Sequence, residues 1–276
     1  MTRPFWKMHG LGNDFAVFDA RERPFMPGPE TVRRLADRRT GIGFDQLLVI
    51  GPGCSGADIA MRIWNSDGEE VAACGNGTRA VAALVGRPQL TIATQAGTLS
   101  AVIEPSGQVT VDMGEPGLTW QAVPLAEPLD TDQLDSLAPL AGRPLVAAPA
   151  AVSIGNPHVT LFAGTLQEWD VAAVGRAIQG HRMFPEGVNV GFAAVTGPDT
   201  LRLRVYERGA GLTLACGTGA CAAAVNAARL GLTGRDVRLL LDGGALRVQW
   251  GSDNRIRMTG PAAVAFTGTI AEEALA

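Results

Sequence analysis

The sequence predicts an α+β protein of two similar domains related by a pseudo-two-fold axis, and three observations predict it. Residues 61–77, MRIWNSDGEEVAACGNG, align without a gap onto residues 203–219, LRVYERGAGLTLACGTG. Arg62 meets Arg204, Trp64 meets Tyr206, Ala73 meets Ala215 and Cys74 meets Cys216, and each Cys is followed by Gly-x-Gly. Upstream, at an offset one residue longer, Gly12-Asn13 meets Gly155-Asn156 and Gln46 meets Asn189. The repeat length is close to half of the 276 residues, which marks a duplicated domain rather than a short solenoid unit. Both halves also carry the same order of elements.

In chain order, short β runs fall at Phe15–Asp19, Leu47–Ile50 and Asp58–Trp64, and again at Val159–Phe162, Val190–Val195 and Leu201–Tyr206. Each half has a helical stretch in its middle: Glu30–Arg39, opened by Pro29, and Leu166–Ile178. A second helix follows each Cys-Gly-x-Gly, over Thr78–Val85 and over Ala220–Leu230, the latter closed by Gly231. Hairpin-like strands come next: Gln89–Ala96, Leu99–Glu104 and Val109–Met113, then Val237–Leu241, Leu246–Trp250 and Ile256–Thr259. One strand pattern, Ala263–Thr267, remains, so the tail is expected to return to the first domain. The predicted domains are 1–116 with 262–276, and 117–261.

Composition narrows the function. With 46% hydrophobic residues and 18% charged, the chain can bury a large core and is not a disordered one. A net charge of −4 without a basic stripe argues against a nucleic-acid partner. Lys7 is the only lysine, so a Walker A loop is absent, and a pyridoxal phosphate Schiff base has one poorly placed candidate. The three histidines, His9, His158 and His181, have no metalloprotease spacing, and no G-x-S-x-G elbow occurs. No C-x-x-C appears among the four cysteines. The start, Met1 to Asp14, lacks an apolar signal-peptide region, and no apolar run reaches the ~18 residues of a membrane span. A soluble cytoplasmic protein is expected.

The matched cysteines carry the chemistry. A Cys at a helix start sits where free N–H groups and the positive dipole end favour an anion, which lowers a thiol pKa. The N–H groups after Cys74 and Cys216 are also placed to bind a carboxylate. A pseudo-two-fold would set the two thiols facing each other across a cleft between the domains. That arrangement suits removal of a proton from one face of a carbon and return of a proton to the other. By contrast, Cys221 is read as core, since it lies about 140° round the helix from Cys216. Cys54, in GPGCSG, is read as a loop residue. A redox pair closing across the cleft is the competing reading of Cys74 and Cys216.

At these residues the chain resembles the diaminopimelate epimerase family. KMHGLGNDF (7–15), GIGFDQLL (41–48), WNSDG (64–68), ACGNGTRA (73–80), GNPH (155–158), FPEGVNVGF (184–192), RVYERGAG (204–211) and ACGTGACA (215–222) follow that family's signatures in order. The resemblance implies two similar domains, each a barrel-like mixed β-sheet around a central helix, with the active site between them. It implies cofactor-independent interconversion of LL- and meso-2,6-diaminopimelate in lysine and peptidoglycan precursor synthesis, by a homodimer. It makes Cys74 and Cys216 the acid/base thiols and His158 and Glu207 the groups that adjust them. It assigns substrate binding to Asn13, Gln46, Asn65, Asn156, Asn189, Glu207 and Arg208, and to the backbones of Gly75, Asn76, Gly217 and Thr218. Read without the resemblance, Asn13 and Asn156 can be turn formers, Arg208 a surface ion pair and His158 structural. A proline racemase-like isomerase is the nearest alternative substrate reading, and four residues for a distal amino-acid head (Asn65, Asn156, Asn189, Arg208) speak against it. The stretch from Val81 to Leu90 is shorter than in the family pattern.

Overall fold

The computed structural model describes residues 2–72, 74–167 and 169–275. Ala73 of the repeat, Glu168 of the expected helix 166–178 and the two terminal residues lie outside the described residues. The chain divides into two compact units, Met1–Asp112 with Gly260–Ala276, and Met113–Thr259. Both are α+β.

The first unit contains β1 (Thr2–Gly10), β2 (Asn13–Asp19), α1 (Pro29–Ala36), β3 (Gln46–Pro52), β4 (Ile59–Asn65), β5 (Glu70–Val71), α2 (Gly75–Val85), β6 (Gln89–Thr94), β7 (Gly97–Ile103) and β8 (Val109–Asp112). The second contains β9 (Ala150–Ser153), β10 (Pro157–Ala163), α3 (Val171–Gln179), β11 (Asn189–Gly197), β12 (Thr200–Glu207), β13 (Gly211–Thr213), α4 (Gly217–Arg229), β14 (Asp236–Leu241), β15 (Gly244–Trp250) and β16 (Ile256–Gly260). A last strand, β17 (Ala263–Ala271), pairs antiparallel with β1 in the first unit.

The pairings repeat element for element. β2 runs parallel to β3 with α1 between them, β3 is antiparallel to β4, and β4 is parallel to β6 with α2 between them. In the second unit β10 is parallel to β11 around α3, β11 antiparallel to β12, and β12 parallel to β14 around α4. A parallel neighbour needs a crossover, and the helices supply it. β6–β7–β8 and β14–β15–β16 are plain antiparallel meanders. α2 packs against β1, β2, β3, β7 and β8, and α4 against β9 to β12, β14 and β15, so each sheet wraps a central helix. In the first unit the ladder runs β17–β1–β2–β3–β4–β6–β7–β8, and no described pairing joins its two ends. The sheet is mixed and packs around the central helix.

The two central helices are made of Gly, Ala and small polar residues because strands approach them on several sides. Ala80, Val81, Ala220, Ala223 and Val225 are fully buried. The outer helices are amphipathic instead. α1 buries Val32 and Leu35 against Phe18, Phe44 and Leu47, and α3 buries Ile178 in a core with Leu161, Phe192 and Trp169.

Several boundaries move. α2 and α4 begin at Gly75 and Gly217, three residues before the predicted starts, because the Cys side chains cap them and the Gly-rich first turns conceal helix in a propensity reading. α3 starts only at Val171, where the Asp170 carboxylate accepts from Ala173 N at 2.9 Å. α1 stops at Ala36 because the Asp37 carboxylate takes the N–H groups of Arg39 and Thr40. β1 has no counterpart in the sequence reading. It hides in plain alternation because two of its inward residues are cations, Arg3 and Lys7, whose heads find the Arg23 and Pro24 carbonyls and Asp14. The short stretch after α2 is a Gly86 left-handed cap, with its N–H on Ala82 O, leading straight into β6. Among the described residues no helix is long and apolar enough to cross a membrane.

Candidate active site

Cys74 is the N-cap of α2, and its Sγ accepts from Gly77 N at 3.3 Å. Cys216 is the N-cap of α4 in the same way, with Gly219 N at 3.3 Å. The third helical residue is a tightly packed glycine in both, more so in α4. A Cβ on Gly77 would lie 3.1 Å from Leu48 and 3.4 Å from the Cys74 sulfur; on Gly219 it would lie 2.9 Å from Val205 and 3.2 Å from the Cys216 sulfur. Gly219→Ala is accordingly expected to push the thiol off its cap. A stability loss of about 1–3 kcal/mol in thermal melts should accompany it, and turnover should fall by more than Gly77→Ala lowers it.

Cys74 meets a run of side-chain amides. The thiol donates to Gln46 Oε1 at 3.0 Å, and Gln46 Nε2 donates to Asn65 Oδ1 at 3.1 Å. β3 and β4 set this contact, since Gln46 and Asn65 are cross-strand partners. Asn76, 5% exposed in the first turn of α2, donates from Nδ2 to Asn13 Oδ1 at 3.2 Å and accepts from Arg79 at 2.9 Å. Asn13 opens β2 just after Gly12, whose φ of +89° takes the turn and frees the Asn side chain from local hydrogen bonding. Asn13 Nδ2 donates to Asp45 at 3.1 Å. Behind it, Asp14 pairs with Lys7 and, at 2.8 Å, with Arg38. Burial alone would raise the Asp14 carboxyl, but the hydrogen bonds from Arg38 and Lys7 hold it well below the usual carboxylate range.

The second unit is different. His158, on β10 and 1% exposed, has Nε2 at 3.0 Å from both Asn156 Oδ1 and Thr218 Oγ1. Thr218 Oγ1 in turn lies 3.5 Å from Cys216 Sγ. Burial, reinforced by the Arg208 guanidinium, pushes the His158 imidazole down to about 3, so the ring is neutral. Thr213 donates to Glu207, placing that carboxylate beside Cys216. Burial pushes the Cys216 thiol well up, and the Glu207 charge adds to the effect; hydrogen bonds from Thr218 and Gly219 oppose it and do not prevail. This corrects the expectation that the helix N-terminus would favour the thiolate at Cys216, because a thiol 5% exposed next to a carboxylate loses more solvation than the cap returns. Asn189 donates to Pro157 O at 3.0 Å and accepts from Arg208 N at 2.9 Å, which fixes its amide. The Arg208 side chain leans on Glu186 O at 2.6 Å.

The family model described as diaminopimelate epimerase matches residues 5–119 and 150–265. The chain belongs to the diaminopimelate epimerase family. A protein of Phenylobacterium zucineum (strain HLK1) named diaminopimelate epimerase is 54% identical over 274 residues, covering 98% of each chain. One of the same name from Acidiphilium cryptum (strain JF-5) is 49% identical over 274 residues, covering 98% of this chain and 96% of that one. Among solved structures, a phenazine biosynthesis protein of the PhzF family from Enterococcus faecalis superposes with a TM-score of 0.70 at 15% identity, covering 98% of this chain and 100% of that one, a likeness of fold.

The residues carried by the diaminopimelate epimerase signatures fall into two clusters. Asn13, Gln46, Asn65, Gly75 and Asn76 gather about Cys74 in the first unit; Asn156, His158, Asn189, Glu207, Arg208, Gly217 and Thr218 gather about Cys216 in the second. The repeat alignment pairs Asn65 with Glu207 and Asn76 with Thr218, so the duplicated frame has diverged around the two thiols. Cys221 is buried in α4 and Cys54 is exposed, as their core and loop readings require. The sequence reading passed over Thr213, Asp45 and Arg79. Arg79 did leave a signal: its repeat counterpart is Cys221, so a cation occupies a position that the other helix fills with a core side chain. Among the described residues no three His, Cys, Asp or Glu side chains gather to hold a metal ion.

Proposed function

We propose that the chain interconverts LL-2,6-diaminopimelate and meso-2,6-diaminopimelate by a two-base 1,1-proton transfer between Cys74 and Cys216, in lysine and peptidoglycan precursor synthesis. The observation that carries the reading is the duplicated cap: two thiols in the same helix-terminal geometry, each held by the third N–H at 3.3 Å. The reading requires both sulfurs to reach one α-carbon from opposite faces. In one direction the Cys74 thiolate removes the α-proton as Cys216, kept protonated by burial and Glu207, delivers a proton to the other face. In the reverse direction the roles exchange. The carbanionic charge that develops flows into the substrate carboxylate, and the N–H groups at the two helix starts, on Gly75, Asn76, Gly217 and Thr218, are suited to receive it.

The distal amino-acid head needs donors for its carboxylate and acceptors for its ammonium. Arg208 suits the carboxylate, and Asn65, Asn156 and Asn189 present amides of both polarities. The single lysine favours no Schiff base, since Lys7 is tied to Asp14 and to Gly43 O.

Proton exchange tests this. Incubation with LL-diaminopimelate in D₂O under reducing conditions is expected to place deuterium at one α-position with formation of the meso isomer, followed by NMR. Absence of exchange there, with exchange of proline in the same assay, would move the assignment to a racemase of cyclic amino acids.

A further inference from the structure

The amides of Asn13 and Asn76 stand in one hydrogen-bonded chain between two charged groups of opposite kind. At one end is Arg79, 0% exposed, whose guanidinium can only donate; its Nη2 gives to Asn76 Oδ1 at 2.9 Å. Asn76 Nδ2 gives to Asn13 Oδ1 at 3.2 Å, and Asn13 Nδ2 gives to Asp45 Oδ2 at 3.1 Å. At the other end the Asp45 carboxylate can only accept. It also takes the Asp14 N–H at 3.1 Å and pairs with Arg38 at 2.7 Å, so its own orientation is fixed.

A carboxamide between a donor-only and an acceptor-only neighbour has one satisfied orientation. Two amides in series inherit it together: flipping either would set N–H against N–H or oxygen against oxygen. The arrangement also joins three elements, since Asn13 opens β2, Asp45 lies just before β3, and Asn76 and Arg79 sit on α2. Arg79 is anchored further by Nε on Pro261 O at 3.4 Å.

We propose that Asp45 and Arg79 are positioning residues that lock the side-chain amides of Asn13 and Asn76 into a single polarity. The consequence for binding rests on the reading above, in which Asn13 and the first turn of α2 hold the substrate. With the polarity fixed, the capacity left on each amide is set before the ligand arrives, and a bound amino-acid group meets a prepared surface rather than a rotor that must be ordered. Because these contacts exist in the ground state as in the transition state, their loss falls on KM rather than on kcat.

Asp45 is partly exposed, so its variants test the idea without emptying the core. Asp45→Ala is expected to raise KM about tenfold with kcat within about threefold, and Asp45→Asn, which keeps an oxygen facing Asn13, to return KM most of the way. Side-chain amide ¹H–¹⁵N spectra give a readout free of turnover. The Asn76 amide pair should shift in Asp45→Ala, although Asp45 touches only Asn13 of the two, and should be restored in Asp45→Asn. An unmoved Asn76 pair, an unchanged KM, or equal impairment in both variants overturns the proposal. If the wild-type protein fails to act on diaminopimelate, the proposed function fails and the spectra alone decide the positioning role.

Discussion

Replacing either Cys74 or Cys216 by alanine is expected to lower epimerisation by about 10²–10⁴-fold in both directions. On the proposed two-base mechanism each thiol is the base for one stereoisomer and the acid for the other, so neither direction survives the loss of one. The folded state should persist, because the cap hydrogen bond of each sulfur is worth about 1 kcal/mol. Serine at either position keeps a cap acceptor but not an acid of suitable strength, so Cys74→Ser and Cys216→Ser should restore the melting temperature without the activity. The diagnostic measurement is solvent exchange. In each alanine variant the surviving thiol can wash deuterium into at most the isomer whose α-proton faces it, while net conversion is lost. Conversion near the wild-type rate in either variant would remove the two-base mechanism.

The second large effect concerns Glu207. Its charge adds to burial in holding the Cys216 thiol protonated. A thiol acting as acid works while it is protonated, so its contribution is present at lower pH and is lost as pH rises through its pKa. Removing the carboxylate charge stabilises the thiolate and moves that loss to lower pH. Glu207→Gln should therefore shift the alkaline limb of the kcat profile down by about one pH unit, and kcat/KM should fall about 10–100-fold from the lost charged contact. The drop should be larger at pH 9 than at pH 7. His158 cannot supply either limb in this range, since burial holds it near 3 and it stays neutral throughout. An alkaline limb that stays in place in Glu207→Gln would mean that Cys216 is not the acid.

Both predictions depend on the divergence between the repeats. The same N-cap, the same Gly at the third helical position and the same parallel crossover recur in each unit. Yet Cys74 donates to a neutral glutamine, and Cys216 lies beside Glu207 and Thr218, with the buried His158 behind Thr218. Duplication supplies two thiols in one geometry, and point divergence sets Gln46 and Asn65 beside one and Glu207 and Thr218 beside the other.

Much of the fold was legible because it repeats. Strand patterns at Leu47–Ile50 and Val190–Val195, and the meanders that follow each second helix, are local signals, and their agreement across two halves reinforced them. β1 was not legible, because Arg3 and Lys7 occupy inward positions that a hydrophobic pattern assigns to the surface; the carbonyls of Arg23, Pro24 and Gly43 and the Asp14 carboxylate, distant in sequence from their partners or brought close by strand pairing, make that burial tolerable. The helix starts at Gly75 and Gly217 were illegible for a related reason. Glycine opposes helix in isolation, and here the enclosing strands and a sulfur cap override it.

The sequence by itself determined the duplicated α+β plan, the family, and which cysteines of the four belong to the repeated motif, since each of these is written in residue identity and spacing. The tertiary structure alone decided what those residues experience. It placed Glu207 and a Thr218–His158 pair against one thiol and an uncharged Gln46–Asn65 pair near the other, and it strung Asn13 and Asn76 between Asp45 and Arg79. The reason is physical. Proton affinity and amide polarity depend on solvent exclusion and on neighbours a few ångströms away, and those neighbours come from strands and helices that spacing along the chain does not bring together.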